Sequence, residues 1–391
     1  MTLLLAFFLQ ASLIEQADQA FRNGEIDRAE KLAQQAAARE PGSPHAHMIL
    51  GVIAATRAQW APAVQHFQTV TRLVPADPHA YFYLGQARLN QKQWQAAVDL
   101  FTRALNLKYP ERERLLIELA FAENEAGRPA AALKRLEGVE PPAEGPMAAQ
   151  YHAVKAFAGL RMGKSAEAIE AMAKARDLDP DNEQYQEFLI STLIGVDQTA
   201  RALAEAIRAQ SKFPDSPEIQ FLFGLASYYV PESPLGAVAL RNVREAEPTG
   251  ARALLAQGLL DRKAGKMDEA VRAFEGAASK GLPDSHLLLA IVYREKGDMA
   301  GAEREFALAE RANPQNGQVA LEAGKLALTR GDLAGALKRL TLAADRMPQS
   351  SAAHYQLGLA LRRAGKAAEA EEHLTRSREL DRLHAEAAVP K

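Results

Sequence analysis

A period of 34 residues limits what this chain can fold into more than any other feature. The segment "MILGVIAATRAQWAPAVQHFQTV" (Met48–Val70) returns as "YFYLGQARLNQKQWQAAVDLFTRAL" (Tyr81–Leu105), with Gly51 and Gly85, Trp60 and Trp94, Ala63 and Ala97, and Phe67 and Phe101 each 34 apart. Prolines keep the same interval: Pro41 and Pro75, then Pro180, Pro214 and Pro248, then Pro314 and Pro348. Gly297, Gly331 and Gly365 follow it as well, as do Ala302, Ala336 and Ala370. Eleven units result, near 10–43, 44–77, 78–111, 113–148, 149–182, 183–216, 217–250, 251–282, 283–316, 317–350 and 351–384.

Within a unit, apolar residues recur at helical spacing in two runs, parted by a short turn and ended by a proline that cannot continue a helix. Each unit therefore reads as a helical hairpin. In 78–111, Tyr81, Leu84, Gly85 and Leu89 mark the first helix, and Trp94, Ala97, Phe101 and Ala104 the second. Gly85 and Ala97 let two backbones approach, and Phe101 fills the space beside them. No single hairpin can bury this surface, so the units must stack. The length of 391 residues then counts repeats rather than globular domains. Residues 12–384 read as one continuous stack, with 385–391 a short tail.

These residues resemble the tetratricopeptide repeat, which pairs Leu-Gly in the first helix with Ala, an aromatic and Ala in the second, then Pro. Leu50-Gly51, Leu84-Gly85, Phe223-Gly224 and Leu357-Gly358 carry the first half, and Ala63, Phe67, Val70 and Pro75 the second. The first-helix slot that holds Trp in the family has Leu13, His47, Tyr81, Gln186 and Leu254 instead. The resemblance implies an all-α fold, an α-α superhelix: a right-handed solenoid whose first helices line a concave groove.

Three places depart from the pattern. "LEGVEPPAEGP" (Leu136–Pro146) holds three prolines and two glycines, which places a loop or flexure at 138–146. The unit at 183–216 lacks the turn glycine, and the next places Pro231 and Pro234 in its inner turn. The last second helix, from Ala367 to Asp381, is rich in charge and suits a solvated cap.

A net charge of −2 gives no basic footprint for phosphate neutralisation, so nucleic acid is not expected as a partner. The absence of cysteine removes disulfides, thiolate metal sites and cysteine nucleophiles, and leaves the redox compartment open. "LLLAFFL" (Leu3–Leu9) is apolar on every side yet far short of the roughly 20 residues of a membrane span, so no integral span is expected. Residues 1–11 read either as a signal peptide, which would make the protein periplasmic or secreted, or as a helix extension in a cytoplasmic chain.

If first helices line the groove, its candidate contacts can be read off. They include His45, Met48 and His79, then Phe82, Tyr83, Gln86, Asn90, Phe121, Phe157, Phe188, Phe221, Tyr228 and Tyr229. Aromatic side chains give large contact area at low entropy cost, which suits an extended peptide or a partner helix. Tyr228 and Tyr229 stand out, because adjacent tyrosines at a helix end cannot both point into one core. Towards the C-terminus the groove becomes charged, with Arg252, Arg262, Lys263, Arg294, Lys325, Arg362 and Arg363 intermixed with Glu295 and Glu322; an acidic peptide could dock there, and the plainer reading is a solvated charged face. The paired Lys and Asn with which some relatives grip a C-terminal carboxylate are not found in register.

His45 and His47, two apart, project to different sides, unlike a helical zinc pair. Phosphate-binding glycine patterns are absent. No metal, cofactor or catalytic residue is therefore expected, and the chain reads as a noncatalytic scaffold with protein or peptide partners. A repeat region of an enzyme complex and an RNA-binding helical repeat are weaker readings, and charge and period oppose the second. In an exported chain, the resemblance extends to envelope scaffolds of polysaccharide or outer-membrane export machinery.

Overall fold

The computed structural model describes residues 12–230 and 235–387. The apolar run Leu3–Leu9 and the prolines Pro231 and Pro234 lie outside the described residues. Among the described residues there are 22 helices and no strand. They pair as α1 (Leu13–Arg22) with α2 (Ile26–Arg39), α3 (Pro44–Thr56) with α4 (Trp60–Leu73), α5 (Pro78–Asn90) with α6 (Trp94–Asn106), and α7 (Arg112–Glu125) with α8 (Pro129–Glu137). Next come α9 (Pro146–Arg161) and α10 (Ser165–Leu178), then α11 (Glu183–Gly195) with α12 (Thr199–Lys212), and α13 (Pro217–Tyr229) with α14 (Leu235–Ala246). The last four pairs are α15 (Ala251–Lys263) with α16 (Met267–Ser279), α17 (Asp284–Glu295) with α18 (Met299–Ala312), α19 (Gly317–Arg330) with α20 (Leu333–Arg346), and α21 (Ser351–Arg363) with α22 (Ala367–Ala387). The chain is thus an all-α solenoid of helical hairpins.

Local chemistry sets the helix ends. Ser43, Asp77, Ser216, Asn316 and Ser350 cap first helices by accepting backbone N–H groups, and Pro44, Pro78 and Pro217 follow three of these caps at the first helical position. The turn inside most hairpins needs one left-handed residue. Glycine supplies it at Gly127, Gly265, Gly331 and Gly365, among others; in the sixth hairpin, whose turn lacks glycine, Asp197 takes it at φ +65°.

Packing explains the sixteen-residue spacing between helix-crossing glycine and bulky partner. A Cβ at Gly51 would fall 2.5 Å from the Phe67 ring, one at Gly85 2.6 Å from Phe101, and one at Gly324 or Gly358 2.7 Å from Leu340 or Leu374. The missing side chain is where the opposing ring or branch sits. Phe67, Phe101 and Phe274 are all but fully buried as a result, and Ala97 beside Phe101 has no exposure.

The contacts divide the chain into two compact units, 1–158 and 159–391. In both, helices pack on their neighbours in sequence, and successive first helices also touch: α1 with α3 and α3 with α5 in the first unit, then α11 with α13, α13 with α15, α17 with α19 and α19 with α21 in the second. Among the described residues no pair of successive second helices packs to that extent, so first helices form the inner row of each stack. Within 138–145 the chain leaves the short α8, buries Val139 and restarts at Pro146, three residues ahead of the unit start read from the sequence.

The slot where the family carries tryptophan is filled in a paired way. It faces a second-helix position 19 residues on, and in three hairpins the pair is polar: His47 with His66, His286 with Glu305, and His354 with His373. His47 Nε2 lies 3.1 Å from the Pro41 carbonyl, which can only accept. Its Nδ1 therefore accepts the Nδ1–H of His66 at 3.0 Å. His354 repeats the arrangement with Pro348 at 3.3 Å and His373 at 2.9 Å. Burial, and then His47, hold His66 below its usual range. Burial likewise lowers His354, with His373 and Arg376 adding to it against the Pro348 carbonyl and Asp345.

A lowered folded value means that the unfolded chain takes up the proton first. The stability these histidines lend is intact above the ordinary value of 6.5 and is lost as pH falls through the lowered folded values. The melting temperature is expected to fall from neutral pH to about pH 5, and to fall less in His66→Gln/His354→Gln. Equal pH slopes in thermal melts of the two proteins would show that these pairs do not carry the effect.

Candidate partner-binding face

The inner row of the second unit exposes a mixed aromatic and charged surface. Tyr228 and Tyr229 end α13 with their rings edge to face, centroids 5.5 Å apart. Both are half-buried. From α15, Arg262 Nη1 donates to the Tyr228 hydroxyl at 3.4 Å, while the Lys263 ammonium stands 6.0 Å from the Tyr228 ring centroid. Burial, and secondarily Tyr228, push the Tyr229 hydroxyl well above its usual range, so it stays a neutral donor.

Three arginines of this face are tied to carboxylates on neighbouring first helices. Arg252 of α15 pairs with Glu218 of α13. Arg262 grips Glu295 of α17 with two hydrogen bonds of 2.6 and 2.9 Å, and Arg294 of α17 reaches Glu322 of α19 at 2.7 Å. Lys325 closes on the same Glu322 at 2.6 Å. Burial alone would raise the Glu322 carboxyl, but Lys325 and Arg294 outweigh it and hold it below its usual range. Arg363 of α21 donates to the Leu328 carbonyl at 3.2 Å, and Arg362 beside it is exposed. The row is therefore a ladder of ion pairs between hairpins, in which Glu295 and Glu322 are the partners of Arg262 and Arg294.

Two groove candidates are packing residues. Phe82 has no exposure, because its ring stacks on Tyr109 at 4.5 Å and Arg114 covers it at 5.1 Å. Phe221 is 7% exposed within α13. Burial of Phe82 was hidden from the sequence because Tyr109 lies past the end of α6, outside any helical period. Tyr83 is half-buried against Phe67 at 5.6 Å, and Phe121 is half-buried against the core around Leu116 and Val154. Phe157 and Phe188 are half-buried on α9 and α11. Gln86 donates to Glu118 at 3.3 Å, and exposed Asn90 bonds the Gln86 carbonyl at 2.9 Å. Burial raises the Glu118 carboxyl, with Gln86 and Gln150 opposing it.

His45 is exposed while His47 turns to His66. Among the described residues no group of three or more His, Asp or Glu is placed to hold a metal ion, and no helix is long and apolar enough to cross a membrane.

The family model described as "Tetratricopeptide repeat" matches residues 14–61, 56–113, 255–317 and 321–385. No curated protein matches the chain. Among solved structures, it is similar to a chain of the APC/C hetero-tetramer Cut9–Hcn1, with 12% identity over 97% of this chain and 90% of that one and a TM-score of 0.53. A chain of yeast Tom70 is 13% identical over 94% of this chain and 91% of that one, with a TM-score of 0.37.

Proposed function

The chain belongs to the tetratricopeptide repeat family, whose arrays serve as protein-interaction scaffolds, and from that premise we propose that it binds an extended peptide or partner helix along its inner row of first helices. The observation that carries this reading is the Tyr228–Tyr229 pair, half-buried at the end of α13 and bordered by Arg262 and Lys263. Tyrosine and arginine are the residue types that dominate binding energy when desolvated in a well-packed centre. Rigid aromatic rings lose little rotamer freedom there. The ion-pair ladder flanking them gives alternating charge along the row, which suits a partner of mixed charge better than an acidic one. The scaffold is noncatalytic in this reading and holds its partner in complex assembly.

Capture from native lysate is the test, comparing the wild type with Tyr228→Ala/Tyr229→Ala and with Ile207→Ser. Ile207 is 46% exposed on the second helix α12 and so lies off the inner row. A specific partner is expected to bind the double variant at least about tenfold more weakly, with Ile207→Ser unchanged. Both variants must first give the wild-type circular dichroism spectrum. Retention by a folded double variant would remove the aromatic pair from the site.

A further inference from the structure

The second unit makes one contact that its repeat pattern does not require. Turns inside hairpins lie at one edge of a hairpin stack, and connections between hairpins lie at the other. In this unit the two edges meet. Arg346, in the last turn of α20, donates from Nη1 to the Met162 carbonyl in the α9–α10 turn at 3.2 Å, across 184 residues. Its other terminal nitrogen bonds Gln315, and the neighbouring Gly163, at φ +75°, leaves the guanidinium the space where a Cβ would otherwise fall. Four residues on, the Ser350 hydroxyl donates to the Asp197 carboxylate in the α11–α12 turn at 2.8 Å, across 153 residues.

Both ends of the second bond are set in advance. Ser350 caps α21 by accepting the Ala353 N–H at 3.2 Å, which turns its own proton outward. Asp197 occupies the left-handed turn position that glycine fills in the adjacent fifth hairpin. Among the described residues, no extensively packed helix pair spans the contact. Ser350 is 1% exposed, so its bond to Asp197 is shielded from water, whereas the Met162 end of the other bond lies at the surface.

We propose that Arg346 and Ser350, set against Met162 and Asp197, form a latch that holds the second unit closed edge to edge and whose release opens its inner row. The latch stands independently of which partner the row binds. The chain has no cysteine, so spin labels can be placed cleanly at Lys164→Cys and Asp345→Cys, both exposed and each next to a latch residue or turn. Dipolar electron paramagnetic resonance is expected to give a short, narrow distance distribution, and a longer, broader one when Arg346→Ala and Asp197→Gly are added. Asp197→Gly suits the left-handed backbone, and Ser350 is left in place to cap α21, so the variant keeps its fold; circular dichroism verifies this. Small-angle scattering of the unlabelled variant should show a larger radius of gyration. A long, broad distribution in the labelled wild-type background would overturn the contact itself. An unchanged distribution in the folded variant would overturn the latch.

Discussion

Replacing Glu205 by alanine is expected to destabilise the second unit by about 3–5 kcal/mol. Glu205 of α12 is 8% exposed and bonds the Arg176 guanidinium of α10, itself 6% exposed, across adjacent hairpins. Arg176 keeps one other carboxylate partner, exposed Asp177 at 2.8 Å. Removing Glu205 leaves a cation with most of its hydration gone and its main counter-charge missing. The penalty belongs to the stranded charge rather than to the pair's net worth. Arg176→Met/Glu205→Leu should therefore return stability to within about 1 kcal/mol of the wild type. Chemical denaturation followed by circular dichroism, with amide exchange on α10 and α12, reads both effects. A loss below about 1 kcal/mol for Glu205→Ala would mean that water reaches the guanidinium.

Ala97→Arg should be as damaging to the first unit, at about 3–5 kcal/mol, while Ala368→Arg should stay within about 0.5 kcal/mol. Ala97 has no exposure and sits at the crossing of α5 and α6, where Phe101 already takes the space opposite Gly85. An arginine there must both overpack the crossing and bury an unpaired charge. Ala368 is the second residue of α22 and is exposed, so its replacement can extend into water. Urea melts of the two variants compare them directly. Similar losses would refute the assignment of buried and exposed faces on which the hairpin reading rests.

Much of the fold was legible because a helix crossing leaves its mark in one chain: glycine in the first helix, a bulky residue sixteen positions on, proline at the close. Those marks survive even where the family model has no match, between 114 and 254, since hairpin formation needs only amphipathic runs and a turn residue. Asp197 shows how: an acidic side chain tolerates the left-handed turn that glycine usually fills. The candidate face was less legible. Whether Arg262 is open or tied to Glu295 depends on a long side chain reaching the next hairpin, and single-chain periodicity says which way a residue leaves its helix, not where its far end lands. Phe82 was misplaced for the same reason, its cover coming from Tyr109 in a connecting segment. The histidine pairs, by contrast, repeat at a fixed spacing of 19 and were open to the same ruler that found the hairpins.

The near-exclusive packing of each helix on its sequence neighbours also bears on how the chain acquires its structure during synthesis. Loop closure between neighbouring helices is brief, and low contact order goes with fast folding. A hairpin leaving the ribosome finds its first partner within the next 34 residues, so a growing chain can add order from the N-terminus without waiting for its end. The bonds from Arg346 and Ser350 are the exception, since they form only after about 150 to 180 further residues have been made beyond Asp197 and Met162. Those two bonds would wait on the tenth hairpin, long after their N-terminal ends had been made.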